Sequence, residues 1–185
     1  LYRHQAESVL MNEIGRLREE SFRLVGEGTG LDRDIDQYDF YYMHIVLWDE
    51  QDLEIVGAYR LCSTQNDAAQ IDPSRLYTAS LFEYLPNAHA ILKSGLELGR
   101  SFVQPKYWGS RSLEYLWFGI SAFLRRHPQY RYLFGAVSIS NTLSLPAKDI
   151  LVSATDQYGV IKAIEHVDNR VFGQMWHPER TKPYS

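Results

Sequence analysis

The sequence predicts an α/β domain in which helices flank a mixed central sheet. Two segments repeat apolar residues at helical spacing, and several short apolar segments are bounded by turn residues, as strands are. These segments follow one another in the order helix, hairpin, strand, helix, strand, which is typical of the α/β class. The 185 residues are enough for one compact domain, which we expect to span residues 1–185.

The first half of the chain predicts a helix followed by an antiparallel hairpin. Apolar side chains recur near helical spacing over residues 4–25, and the glycine-rich residues 26–30 end this helix before an acidic loop. Residues 43–48 and 53–62 are strands joined by a short polar turn. Residues 77–92 are ambiguous, because Pro86 interrupts a pattern that is otherwise helical.

The second half of the chain predicts a strand, a helix and another strand. Residues 95–104 are an apolar strand, and residues 112–127 are the clearest helix, with Pro128 after its end. Residues 131–140 are a further strand. The weakly patterned tail beyond Pro146 is compatible with a helix at 147–156 and a strand near 160–172.

Composition and charge exclude several classes of protein. The chain has 45% hydrophobic and 14% aromatic residues, which is incompatible with a disordered chain, and its net charge of −4 argues against a nucleic-acid binder. The single cysteine, Cys62, cannot form an internal disulfide, which favours a reducing cytoplasm. No run approaches about 20 apolar residues, so at most a peripheral membrane association is expected. The six histidines show no metal-ligand spacing, so no metal site is predicted.

Two opposite charges, Glu97 and Arg100, interrupt the apolar strand of residues 95–104. A buried charge needs a partner or a role, so the two form either a structural pair or part of a site. Residues three apart in a regular strand face opposite sides, so both reach one site only if a bulge intervenes, and Gly99 is a plausible place for it. The turn and helix that follow this strand could hold a phosphate-bearing group at the helix N-terminus.

This region resembles the central strand and loop of GNAT-type acyltransferases through Glu97-Leu-Gly-Arg100-Ser-Phe-Val103 and the following Pro105-x-Tyr107-x-Gly109. More closely, it resembles the ornithine–acyl carrier protein N-acyltransferase family, also labelled haemolysin, which shares its pattern with acyl-homoserine-lactone synthases. The resemblance is clearest over residues 10–145, where further motifs occur in the family's order: Arg18-x-x-x-Phe22, Asp36-Gln-Tyr-Asp39, Val56-Gly57-Ala-Tyr-Arg60-Leu61 and Tyr132-Leu-Phe-Gly135.

The resemblance implies a GNAT-like fold and an N-acyltransferase. A (3-hydroxy)fatty acyl group would move from acyl carrier protein to the amine of an amino acid such as ornithine. The sheet would splay open between residues 96–103 and 131–138, and the donor's phosphopantetheine arm would lie in this wedge. No cofactor would be bound permanently. Trp108 and Arg111 depart from the usual coenzyme A loop, which favours acyl carrier protein over coenzyme A as the donor.

The resemblance also implies roles for individual residues. Glu97 would be the base or proton relay and Arg100 the orienting cation, which are the predicted catalytic residues. The predicted donor-binding residues, which include a backbone cradle, are Ser101, Phe102, Val103, Gly109 and Arg111. The predicted acceptor-binding residues are Arg18, Phe22, Asp36, Asp39 and Arg60. Arg60 lies in an apolar strand and needs a counter-charge, for which the candidates are Asp36, Asp39 and Glu97, so a structural ion pair is favoured over substrate contact for this residue. A basic docking face for the acidic carrier protein would combine Lys106, Arg111, Arg125, Arg126 and Arg131.

Two alternatives stay open at this point. A GNAT-like module could bind acyl-pantetheine or a protein partner without catalysis, as part of a longer lipid-metabolism or haemolysin protein. An acyl-homoserine-lactone synthase would require a site for S-adenosylmethionine, and the sequence identifies none. An open tunnel from the strand wedge past Glu97 would favour the enzyme, and a wedge filled by side chains would favour the binding module.

Overall fold

The computed structural model describes residues 1–4, 8–66, 68–81 and 83–136. Within them a five-stranded sheet has the order β1-β2-β3-β4-β5, with antiparallel pairing up to β4 and parallel pairing between β4 and β5. The strands are β1 (Tyr2–Arg3), β2 (Met43–Asp49), β3 (Glu54–Ser63), β4 (Gly95–Val103) and β5 (Tyr132–Phe134). The predicted mixed sheet, its hairpin and its central strand are therefore confirmed.

Three helices accompany the sheet in this part of the chain: α1 (Val9–Leu24), α2 (His89–Leu92) and α3 (Ser112–Arg126). The side chain of Ser8 caps α1 by accepting a hydrogen bond from the Met11 N–H at 3.2 Å. The predicted helix start at residue 4 is wrong, because α1 begins at Val9, and residues 2 and 3 pair with β2 as a short strand. A two-residue strand is held by its partner and leaves no periodicity to detect.

The two long helices cover opposite faces of the sheet. One apolar cluster joins α1 to β3 and β4, and its buried members are Met11, Ile14, Leu17, Ile55, Ala58 and Phe102. A larger cluster joins α3 to the other face, and its buried members are Met43, Ile45, Tyr59, Leu61, Leu96, Leu98, Val103, Leu116, Ile120 and Phe123. Each fully buried large apolar side chain contributes about 1.5–3 kcal/mol to folding, so both faces are firmly packed.

The parallel pairing of β4 and β5 is short. Residues 95–97 pair with Tyr132–Phe134, and β4 then continues to Val103 without β5 beside it in the described part of the chain. The predicted strand over 131–140 is thus confirmed for its first part, while residues 137–140 lie outside the described residues. The predicted helix at 147–156 and strand near 160–172 also lie outside them. No described helix has the length and apolarity that crossing a bilayer requires.

The backbones of β3 and β4 approach closely at Gly57. A Cβ atom at this position would lie 2.4 Å from the carbonyl oxygen of Phe102, whereas one at Gly99 would meet nothing within 4 Å. We expect Gly57→Ala to lower the free energy of unfolding by about 1–3 kcal/mol, because the strands must separate to admit the methyl group. Gly99→Ala is the control and should change stability by less than about 1 kcal/mol in the same urea titration. Equal losses in both variants would contradict this account.

Candidate active site

A bulge in β4 brings its two charged residues to one face of the sheet. Three residue steps on β4, from Gly99 to Phe102, lie opposite two on β3, from Ala58 to Arg60. The bulge was predicted at Gly99, but the residue with left-handed backbone is Arg100, whose φ is 47°. An L-residue held there costs on the order of 1–3 kcal/mol, and such strain is concentrated at functional sites.

Cross-strand pairing shows which face carries the site. Glu97 lies opposite Cys62, and directly opposite residues share a face, so Glu97 is on the side covered by α1. Arg100 reaches the same side, because its guanidinium carbon lies 5.8 Å from the ring centre of Phe22 on α1. It also lies 5.7 Å from the ring centre of Tyr77, whose N–H donates to Glu97. The bulge therefore places the side chains of Glu97 and Arg100 on the same face of the sheet.

Glu97 is fully buried and accepts three hydrogen bonds. Its Oε2 accepts from the hydroxyl of Tyr42 and, at 3.0 Å, from the N–H of Tyr77. Its Oε1 accepts from the N–H of Thr78 at 2.8 Å. Both N–H groups belong to the first turn of a 3-10 helix, Tyr77–Ser80, so a carboxylate on β4 caps a turn that follows β3 by more than ten residues.

The groups around Glu97 are held in their neutral forms. Burial, and then the charge and hydrogen bond of Glu97, raise the pKa of Tyr42 above its ordinary value. The Tyr42 oxygen also accepts the Tyr77 N–H at 2.8 Å, so the phenol is fixed on both sides. Burial raises the pKa of Cys62 to about 12, so this thiol is not a nucleophile at neutral pH. Among these groups, Glu97 is the one suited to take a proton.

A buried charge network lies beside this carboxylate. Arg18 pairs with Asp39 at 2.7 Å and with Asp34 at 3.1 Å. Arg60 pairs with Asp36 at 2.6 Å and with Asp39 at 3.2 Å. Of the counter-charges expected for Arg60, the structure thus provides Asp36 and Asp39. The structural-pair interpretation of Arg60 is supported, since its guanidinium is also enclosed by aromatic rings at 5.0–5.7 Å, those of Tyr38, Tyr42 and Tyr77.

Asp39 is the centre of this network. Burial alone would raise its pKa, but hydrogen bonds and charge from Arg18, with the charge of Arg60, overcome this effect and lower the pKa to about 2. His44 lies 3.8 Å from the Asp39 carboxylate, and burial lowers the pKa of this imidazole to about 4. His44 is therefore neutral at neutral pH. Together with Arg100, whose ion pairs with Asp34 and Asp36 are described next, the network comprises three arginines and three aspartates.

Arg100 joins the edge of this network. Its nearest carboxylate oxygens belong to Asp34, at 3.4 Å, and to Asp36, at 3.9 Å. The predicted Glu97–Arg100 pair is not among the ion pairs of the described residues, so Arg100 is available for another role. Arg18, Asp39 and Arg60 are buried, whereas Arg100 and Asp36 each retain a quarter of their side-chain exposure. The solvent-facing edge of the network is therefore an Arg–Asp pair.

The predicted donor residues lie where β4 leads into α3. Phe102 and Val103 place their side chains in opposite cores, so only their backbone groups are candidates for binding a donor. The Val103 carbonyl accepts from the Trp108 indole N–H at 2.7 Å, which turns Trp108 back toward β4. Gly109, with φ +79°, and Arg111 directly precede α3, as predicted. Arg111 is exposed and pairs with Glu114 at 2.8 Å.

The residues of the predicted basic docking face are spread along α3. Lys106 and Arg111 lie near its start, while Arg125 and Arg126 lie at its end, about 21 Å away along a helix that rises 1.5 Å per residue. Lys106 is also paired with Asp52 at 2.6 Å and with Glu54.

A cleft of about 490 Å³ opens at the start of β4, where Gly95 lines it together with Ser94, Gln129 and Arg131. Glu97 is two residues further along β4 and does not line this cleft. The cleft is therefore not the predicted tunnel past Glu97.

Four residues in the site escaped the sequence analysis. Asp34, Tyr42, His44 and Tyr77 all contact predicted site residues. Tyrosines are frequent in this chain, so no spacing distinguishes Tyr42 or Tyr77, and their contacts with Glu97 span 55 and 20 positions. Asp36 and Asp39 do carry a local signal, since they form a reciprocal capping box around the 3-10 turn Gln37–Phe40.

The chain is similar to known acyltransferases. Residues 17–118 match the family model of the acetyltransferase (GNAT) domain. A glycine N(alpha)-acyltransferase of Bacteroides thetaiotaomicron is 34% identical over 168 residues, which cover 80% of this chain and 48% of that protein. An L-ornithine N(alpha)-acyltransferase of Brucella abortus is 30% identical over 177 residues, which cover 85% of this chain and 57% of that protein. The L-ornithine N(alpha)-acyltransferase of Rhodobacter capsulatus is 34% identical over 138 residues, which cover 69% of this chain and 51% of that protein.

The chain therefore spans about half the length of the curated relatives it matches. Among solved structures, none matches it at a significant level. The match of the family model covers more than half of the chain and includes the second half of α1, all of β2, β3 and β4, and the first half of α3. The predicted GNAT-like fold and the resemblance to ornithine N-acyltransferases are confirmed, and the chain belongs to the GNAT acetyltransferase domain family.

Proposed function

We propose that this chain is an N-acyltransferase domain that moves a fatty acyl group from acyl carrier protein to the α-amine of an amino acid. One observation carries the proposal: the β4 bulge places Glu97 and Arg100 on one face, next to the stretch of β4 that continues beyond its pairing with β5. The matched relatives, named for acyl transfer to the amine of glycine or ornithine, support the same reaction class.

The chemistry requires an uncharged amine. An ammonium group gives up a proton to Glu97, directly or through water, and the freed nitrogen attacks the thioester carbonyl. The new C–N bond forms, the C–S bond breaks, and the thiol leaves with a proton. A carboxylate offers about four acceptor sites, and Glu97 uses three within the described structure. One acceptor site therefore remains for the amine or a bridging water.

The donor side rests on β4 itself. Gly135, the residue after β5, still lies against Leu98, and beyond Leu98 no described strand pairs with this edge of β4 up to Val103. We expect the amides of a pantetheine arm to bind the backbone of this stretch. The bulky Arg111 occupies the loop before α3, where a coenzyme A site would favour a small residue for its two phosphates. The single phosphate of the pantetheine arm on acyl carrier protein needs less space in this loop than the two phosphates of coenzyme A. A 3-hydroxyacyl chain remains part of the proposal.

An acyl-transfer assay tests the proposal. Glycine, ornithine and serine are offered with one long 3-hydroxyacyl chain, carried either by acyl carrier protein or by coenzyme A. Thiol release and the mass of the N-acyl product are measured together. We expect product from at least one amino acid, with a higher kcat/KM for the carrier-protein donor. Absence of product from every pair would contradict an acyltransferase.

A second candidate is a non-catalytic module that binds acyl-pantetheine. It is favoured by the three donors that already engage Glu97, because such a carboxylate also serves as a purely structural cap of the Tyr77–Ser80 turn. Binding of acyl carrier protein without product in the same assay would support this candidate. Product formation with normal turnover would exclude it.

A further inference from the structure

The geometry points to Arg100 and Asp36 as a two-charge site that recognises the zwitterionic head of an α-amino acid. In this site Arg100 binds the α-carboxylate and Asp36 binds the α-ammonium group before it loses its proton. The inference rests on the proposed function and specifies its substrate class: the acceptor must carry a free α-carboxylate. Simple amines and carboxyl-blocked amino acids are then poor acceptors.

The guanidinium of Arg100 forms ion pairs with described residues but no hydrogen bond to any of them. Its contacts with Asp34 and Asp36 are ion-pair distances of 3.4 and 3.9 Å, and its side chain donates no hydrogen bond to any described residue. Its buried Nε likewise has no acceptor there. Arg18, by contrast, donates to Asp39 through both terminal nitrogens, at 3.1 and 2.7 Å. A fork of unused N–H donors matches the two oxygens of a carboxylate.

Asp36 has one free oxygen on the same side. Its Oδ1 accepts from Arg60 at 2.6 Å and from the Tyr38 N–H at 2.9 Å. Its Oδ2 accepts no hydrogen bond from the described residues, and its one ion-pair contact among them is with Arg100 at 3.9 Å. That distance is longer than a hydrogen bond, so Oδ2 can accept from a ligand. The unused oxygen of Asp36 thus faces the unused donors of Arg100.

The arrangement fits a ligand with two close, opposite charges. The carboxylate and ammonium of an α-amino acid are attached to one carbon, and Arg100 and Asp36 present the complementary charges side by side at the exposed edge of the network. The rings of Phe22 and Tyr77, at 5.8 and 5.7 Å, hold the guanidinium in place. Because Tyr77 also donates its N–H to Glu97, the zwitterion site adjoins the proposed base.

Matched acceptors provide the test. Glycinamide and the α-amide of ornithine keep the amine but lack the carboxylate, so the full chain is assayed with each amino acid and its amide. We expect kcat/KM to be roughly 10- to 100-fold lower for the amides, as befits one lost charge-assisted interaction. Arg100→Gln should lower kcat/KM for the amino acid by a similar factor, mainly through KM, and should lower it much less for the amide. Asp36→Asn should lower kcat/KM for both the amino acid and its amide, because both carry the ammonium group.

Two further measurements separate this inference from the proposed function. Arg16→Gln removes a surface arginine that pairs with Glu13 at 2.7 Å, and it should leave both acceptors unchanged. Glycine and glycinamide are also titrated into the donor-free protein by calorimetry. Turnover that does not distinguish amino acid from amide overturns the zwitterion site while the acyltransferase stands. No turnover, with glycine binding that Arg100→Gln abolishes, overturns the acyltransferase and supports the site.

Discussion

Glu97→Gln is expected to lower kcat for acyl transfer by roughly 100-fold or more, because an amide cannot take the proton that the amine must lose. The side chain keeps its size and position on β4. Its oxygen can still accept from the Tyr42 hydroxyl and the Tyr77 N–H, while its NH₂ group faces the Thr78 N–H. Steady-state kinetics with the best acceptor measures the effect, with little change expected in KM for the donor.

Glu19→Gln is a matched control that distinguishes a loss of turnover from a loss of stability. Glu19 is also buried, and its two oxygens accept hydrogen bonds from Thr29, Gly30 and Arg23, so Glu19→Gln likewise turns an NH₂ group toward N–H donors. Both variants should lose about 1–3 kcal/mol of stability. Only Glu97→Gln should lose turnover. Equal and small losses of activity in both variants would reduce Glu97 to a structural cap and favour the binding module.

The fold could be predicted from the sequence largely because its elements are long and strongly patterned. Predicted residues 43–48, 53–62, 95–104 and 112–127 correspond to β2, β3, β4 and α3 within two residues at each end. The failures are short elements: β1 has two residues, and the segment after residue 72 forms 3-10 turns and the four-residue α2. Such elements are stabilised by tertiary contacts, and their own side chains carry no period.

The sequence predicted which charged residues form the site, but it did not predict which partners Arg100 and Glu97 contact. The sequence analysis identified that Arg60 needs a counter-charge and that a bulge must separate Glu97 from Arg100, and both hold. It could not identify that Arg100 turns toward Asp34 and Asp36, because a left-handed φ at an arginine has no sequence signal. Nor could it identify that Tyr77 donates a backbone N–H, a group common to every residue except proline.

Asp39→Asn is expected to lower the free energy of unfolding by about 3–5 kcal/mol, the usual cost of removing one partner of a buried ion pair. The substitution leaves Arg18 and Arg60 buried without the carboxylate that both contact. This is a large fraction of the 5–15 kcal/mol that typically stabilises a domain. Urea denaturation at neutral pH measures the change. Asp52→Asn is the control, since its pair with Lys106 is half exposed and should contribute less than about 1 kcal/mol.

The stability difference between the parent protein and Asp39→Asn is expected to depend on pH. Because the pKa of Asp39 in the folded protein is lowered to about 2, below its ordinary value of 3.8, folding favours the ionised carboxylate. The resulting stability is fully present above about pH 4 and is lost as the pH falls toward 2. The difference between the parent and Asp39→Asn should therefore be constant from pH 7 to pH 5 and shrink below pH 4. A difference that persists unchanged at pH 2 would mean that packing around Asp39, rather than its charge, holds Arg18 and Arg60 in place.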